Sequence, residues 1–71
     1  MRITYDPDVD AAYIYLVADI PAGGVARTVP LDPREVNGMI NLDFDSEGFL
    51  LGIEVLDASQ LLSSEVLPSA R

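Results

Sequence analysis

The sequence predicts a small α+β domain: a mostly antiparallel sheet of about five strands, built from two hairpins plus one strand, with one short C-terminal helix packed on it. Three observations carry this. Residues 39–56, MINLDFDSEGFLLGIEVL, hold two alternating apolar runs around a polar turn that ends in glycine. Residues 2–17 repeat the pattern around Asp6, Pro7 and Asp8, and an apolar stripe at helical spacing begins after Asp57.

In the later hairpin, period-two alternation puts Ile40, Leu42 and Phe44 on one face, with Asn41, Asp43 and Asp45 on the other. Pairing Phe44 with Phe49, Leu42 with Leu51 and Ile40 with Ile53 would bring every apolar side chain to the core. That pairing leaves Asp45, Ser46, Glu47 and Gly48 as the loop, a type I turn closed by a residue at positive φ, which glycine adopts without steric cost. Gly52 is unusual within a strand and marks either a bulge or a close approach by another backbone.

The first hairpin follows from the turn residues Asp6, Pro7 and Asp8 and from the β-rich run Ala11 to Val17. Ala12, Ile14 and Leu16 share one side; Ala11, Tyr13 and Tyr15 share the other. The tyrosines fit a half-exposed rim, with their hydroxyls in water, better than a binding platform. After the glycine-containing connection at Pro21 to Gly24, Val25, Arg27, Val29 and Leu31 alternate again. Pro30 lacks an amide proton, so this strand belongs at a sheet edge or stops there. Asp32, Pro33, Arg34 and Glu35 imitate the first turn of a helix and predict a single turn.

The C-terminal helix has a readable start. Asp57 is placed to cap it, Gln60 to complete a capping-box variant, and Leu56 with Leu61 to form a hydrophobic staple. Ala58, Leu61, Leu62 and Val66 make the apolar stripe, and Pro68 ends it.

Length and charge bound the function. A chain of 71 residues forms one domain, residues 1–71, that buries only about 60% of its unfolded surface. Without cysteine it has neither disulfide nor thiolate metal site, and its 49% hydrophobic content favours an oligomer, in the simplest case a dimer, or a partner over one face. Twelve acidic residues oppose four arginines, for a net charge of −8, so phosphate backbones are repelled and nucleic acid is not an expected partner. A basic protein is a compatible partner; simple solubility is the commoner reason for such a charge. No apolar run is long enough to span a membrane, and the first ten residues do not read as a signal peptide, so a cytoplasmic protein without membrane contact is expected.

The chemical inventory is short. Histidine and cysteine are absent, removing the commonest general base, metal ligands and thiol nucleophile, and no base stands beside the serines in the sequence. No catalytic residue and no cofactor are therefore assigned, and an enzyme is not expected. Carboxylates remain. Asp6, Asp8 and Asp10 alternate around the first turn, and a hard cation would be gathered if they met Asp43, Asp45 or Glu47 of the second. Residues 43–54 also imitate a calcium loop, with acids at its first, third, fifth and twelfth places and glycine at the sixth. Such a loop must sit between helices, and here both flanks alternate as strands.

YDPDVDAAYIYL and INLDFDSEGFLLGIEVLDAS together resemble a family of small, mostly bacterial proteins known as domain of unknown function 2283, over about residues 2–60. The Tyr5 to Asp10 turn, the later aspartate turn with Gly48, and Gly52-Ile53-Glu54 carry the resemblance. It implies no established activity. Some members resemble the second gene of toxin and antitoxin pairs, beside a basic ribonuclease-like neighbour. Residues 22–24 depart from the pattern, leaving the placement of the third strand open.

The leading expectation is a non-enzymatic interaction module that dimerises or binds a basic partner, in an antitoxin-like role, through a sheet edge or the outer face of the helix. The alternative is a carboxylate-based divalent-cation or small-ligand domain with hydrolytic activity.

Overall fold

The computed structural model describes residues 1–67. Five strands, β1 (Arg2–Asp6), β2 (Ala11–Tyr15), β3 (Arg27–Pro30), β4 (Met39–Phe44) and β5 (Leu50–Leu56), precede one helical turn, α1 (Ala58–Leu61). All pairs are antiparallel, in the order β1-β2-β5-β4-β3. The predicted α+β class is what forms. β3 lies at an edge with Pro30 as its last residue, where a missing donor costs no ladder bond.

The registers sort the side chains into two faces. Ile3, Ile14, Ile53, Leu42 and Val29 stand in one row across all five strands. Tyr5, Ala12, Val55 and Ile40 make the adjoining row. The helix packs beside this second row, where Ala12, Val55 and Ala58 are 3%, 2% and 0% exposed. They are the only fully buried hydrophobic residues among those described. Leu61 and Leu62 are half-buried, so the helix is docked but thinly covered.

Two sequence expectations need correction. The loop Asp45 to Gly48 forms as expected, with Gly48 at φ 88° and the Asp45 amide bonded to the Phe49 carbonyl at 2.9 Å. The register beyond it differs: Phe44 pairs with Leu50, Leu42 with Ile53 and Ile40 with Val55, with an irregularity between Asp43 and Phe44. The loop closure displaces the expected register by one residue, turning Phe49 out to 67% exposure. One extra residue in β5 then restores Ile53 and Val55 to the core face, as a bulge does.

The second correction concerns the cap. Asp57 takes a left-handed conformation (φ 54°) and makes no side-chain cap bond. An N-cap carboxylate must start from extended backbone to reach the next amides, so this geometry disqualifies it. The helix is also a single turn, followed by a second turn closed by Val66 and Leu67 amides on the Ser63 carbonyl. Pro68, expected to end the helix, lies outside the described residues. At residues 32–35 a single turn forms, closed by the Glu35 amide on the Asp32 carbonyl.

Candidate functional site

The carboxylates singled out in the sequence are distributed over both ends of the sheet. β1 and β2 meet at the turn holding Asp6, Asp8 and Asp10, whereas Asp45 and Glu47 occupy the β4–β5 turn. Asp6 shares its row with Ala11, Leu56 and Met39, at the start of β4; Asp43 lies near that strand's far end, opposite Gly52. The two groups do not meet. Among the described residues no cluster of three or more acidic side chains is placed to hold a metal ion. The calcium-loop reading fails on its flanks, which are the hairpin strands β4 and β5, with Glu54 accepting from Asn41 Nδ2 at 2.8 Å.

Most of these acids have structural partners. Asp6 Oδ1 accepts the Asp8 amide at 3.0 Å, and Asp45 Oδ1 accepts the amides of Glu47 and Phe49, both at 2.9 Å. Such bonds from a side chain to nearby backbone are why aspartate favours turns.

Asp10 does more. It sits at φ 53°, and its carboxylate accepts the Ser59 amide at 3.0 Å, the Ser59 hydroxyl at 2.7 Å and the Tyr5 hydroxyl at 2.7 Å. Its own carbonyl takes the Ala58 amide at 2.9 Å. The helix is thus capped from the opposite end of the chain. The hydroxyl bonds from Ser59 and then Tyr5 hold the Asp10 carboxyl below the usual carboxylate range. Ser59 does therefore have a carboxylate beside it. A general base works best with a pKa near the operating pH, and Asp10 is shifted the other way, as a cap rather than a base.

On the face opposite the helix, Tyr13 reaches diagonally across β5. Its hydroxyl donates to Asp43 Oδ2 at 2.6 Å, and Thr28 Oγ1 donates to Asp43 Oδ1 at 2.6 Å, so one carboxylate ties β2, β3 and β4 together. Burial, then the bond to Asp43, pushes the Tyr13 hydroxyl well above the ordinary tyrosine range. Gly52 makes the crossing possible: a Cβ there would stand 2.6 Å from Tyr13 Cζ. The expected bulge forms beside Gly52, with Leu51 as the extra residue, whereas the expected close approach by another backbone is replaced by that of the Tyr13 ring.

Tyr15 packs its ring edgewise on Tyr13 at 4.7 Å, with the Arg2 guanidinium 4.1 Å from the Tyr15 centroid. Beside this network Thr4, Asp6, Ala11, Tyr13 and Glu54 line a shallow groove of about 200 Å³. That is below the size at which pockets enclose a small ligand.

The family model for a protein of unknown function, DUF2283, matches residues 2–59. The chain belongs to the DUF2283 family. The DUF2283 span takes in all five strands and the Asp10–Ser59 clasp, so the matched unit is the sheet with its helix start. No curated protein and no solved structure matches the chain. Several of the DUF2283 residues that carried the sequence resemblance have architectural work: Tyr5 and Asp10 in the clasp, Gly48 in the turn, Gly52 under the Tyr13 ring. The Tyr13–Asp43 and Asp10–Ser59 pairs were not signalled by local sequence rules, because their members lie 30 and 49 residues apart in the sequence.

No helix among the described residues is long and apolar enough to cross a membrane.

Proposed function

We propose that this DUF2283 domain is a non-enzymatic protein-interaction module whose apolar sheet face is completed by another protein chain. The observation behind it is the thinness of the core: one helical turn and the turn after it cover one end of a five-stranded sheet, and Ala12, Val55 and Ala58 are the only fully buried hydrophobic residues among those described. An antiparallel sheet is stable with one wet face, but its apolar face requires a second layer. The polar face here is already occupied with internal hydrogen bonds, and its groove offers no nucleophile paired with a tuned base.

The net charge of −8 makes a basic protein an acceptable partner, in keeping with an antitoxin-like role, and disfavours nucleic acid. The divalent-cation alternative gains nothing from the geometry, since its two aspartate turns stand at opposite ends of the sheet.

Purification of the tagged chain from its own host at physiological salt, followed by reconstitution with each purified co-eluting protein, tests the reading. Binding that is lost when Leu31 or Val29 becomes charged supports it; loss on raising salt further marks the partner as basic. A chain that recovers no protein and does not self-associate sinks it.

A further inference from the structure

Resting on the interaction-module reading, we propose that the occupant of the apolar face is a second copy of this chain, packed sheet to sheet over the β3–β4 half. Val29 and Leu42 are cross-strand partners, Phe44 lies one step along β4 on the same face, and Leu31 continues it with its amide on the Ile40 carbonyl. None of the four is fully buried, Leu31 is 37% exposed, and none belongs to the cluster that packs under the helix.

Surface area favours a folded partner of this kind. The accessible surface is 4807 Å² for a 7.7 kDa chain, whereas a compact monomer of that mass exposes about 4300 Å². A sandwich that covers about 500 Å² on each of two copies buries about 1000 Å² in all, which reaches the lower limit for a specific interface. The broad face of the molecule, 33 × 28 Å, has room for it.

Charge placement selects a second copy over a basic partner at this surface. The strand carboxylates Asp6, Asp43 and Glu54 all lie on the Tyr13 face by register, and the remaining described acids lie in turns and loops. The apolar face therefore carries no strand carboxylate for a cation to meet. Its one strand charge is Arg27, with the guanidinium 5.0 Å from the Phe44 ring centroid. Two such faces can meet despite the net charge, because the acids stay at the periphery and on the far side. Edge-to-edge pairing through β3 is disfavoured, since that strand has four residues and ends at Pro30. A two-fold sandwich leaves both edges as they are.

Leu31 and Met39 give a matched pair for the test: both are exposed, at 37% and 42%, and they stand on opposite faces. Sedimentation equilibrium of the full chain from about 1 to 500 μM should show a dimer of twice the monomer mass within the range where specific interfaces bind. Leu31→Glu should weaken it at least tenfold and Met39→Glu less than twofold, with unchanged far-ultraviolet circular dichroism. On unmutated protein, isotope-filtered nuclear Overhauser contacts between copies should involve Val29, Leu42 and Phe44, so the test does not depend on the variants folding. A chain that stays monomeric at 500 μM overturns the second copy; binding of an apolar dye by that monomer would leave the interaction reading intact. Contacts between copies through Tyr15 or Met39, or equal weakening by Met39→Glu, overturn the proposed face.

Discussion

Asp10 holds Ser59 with both carboxylate oxygens across a sequence separation of 49 residues, Oδ1 on the amide at 3.0 Å and Oδ2 on the hydroxyl at 2.7 Å. The clasp closes the first hairpin turn onto the helix start, so loss of Asp10 should loosen both. Asp10→Ala should lower the denaturation midpoint more than Asp8→Ala or Asp57→Ala, and amide exchange at Ala58 and Ser59 should accelerate first. Equal effects of Asp10→Ala and Asp57→Ala would return the cap to Asp57.

The same clasp gives a pH dependence of definite sign. Because the folded state depresses the Asp10 pKa, its contribution is present above the unfolded carboxylate value of about 3.9 and is lost as pH falls through the lower folded value. Acid unfolding of the native chain should therefore steepen below about pH 4. In Asp10→Asn that component should be missing, as followed by circular dichroism across an acid titration.

Gly52 and Tyr13 form a second dependent pair. Gly52→Val should displace the ring from Asp43 and cost about 1–3 kcal/mol, the range for overpacking a filled site. Tyr13→Phe, which keeps the ring and removes only the hydroxyl, should cost about 0.5–1.5 kcal/mol. In the double variant the effects should not add, since the bond is already lost in either single one. Strict additivity in urea denaturation would show that Gly52 is not there to seat the ring.

The Tyr13 hydroxyl also supplies the alkaline counterpart. Its folded pKa is raised, so its contribution is complete below the unfolded value of about 10 and is lost as pH rises through the folded value. Absorbance of tyrosinate should show late ionisation above pH 10 from Tyr5, raised by its bond to Asp10, and from Tyr13, raised by burial and by its bond to Asp43. Tyr13→Phe should remove the last step while that of Tyr5 remains.

What was legible in the sequence was what local periodicity and turn chemistry determine. The Asp45 to Gly48 loop, the alternation of β4, the edge placement forced by Pro30 and the glycine anomaly at Gly52 all follow from a few neighbouring residues. The β5 register was less accessible because two one-residue displacements in the same direction add to a shift of two, one at the loop exit and one at the bulge near Leu51. Their sum preserves the inward set Ile53 and Val55 while reversing Phe49, and alternation alone cannot reveal such a pair. The helix cap was misassigned for a related reason. Asp57 fits the local rule, but the backbone leaves β5 in a left-handed conformation at that residue, and the amides it would have bonded are offered instead to Asp10 on a distant turn.

The thin core makes Val55 a sensitive position. It is 2% exposed and lies between Ala12 and Ile40 in the row beneath the helix. Val55→Ala removes two buried methyl groups with little freedom for the sheet to collapse, and should cost about 2–3 kcal/mol. Leu61→Ala, at a half-buried position, should cost less than the 2–5 kcal/mol typical of a fully buried leucine. The reverse order in chemical denaturation would place the centre of the core at the helix rather than in β5.

Divalent cations offer the last discrimination. A site built from both aspartate turns would require Asp6, Asp8 and Asp10 to approach Asp43, Asp45 and Glu47 across the length of the strands, and the carboxylates of Asp6, Asp45, Asp10 and Asp43 already serve the turn amides, the Ser59 clasp and the Tyr13 crossing. A cation binding only the folded state raises the melting temperature in proportion to the logarithm of its excess over Kd. Nonspecific screening of a −8 chain follows ionic strength instead. Melting curves at constant ionic strength should therefore coincide with 0 and 5 mM calcium or magnesium. A rise of several degrees that is abolished by Asp8→Asn, whose side chain has no part in the clasp, would show that the turns gather a cation and would reopen the hydrolytic alternative.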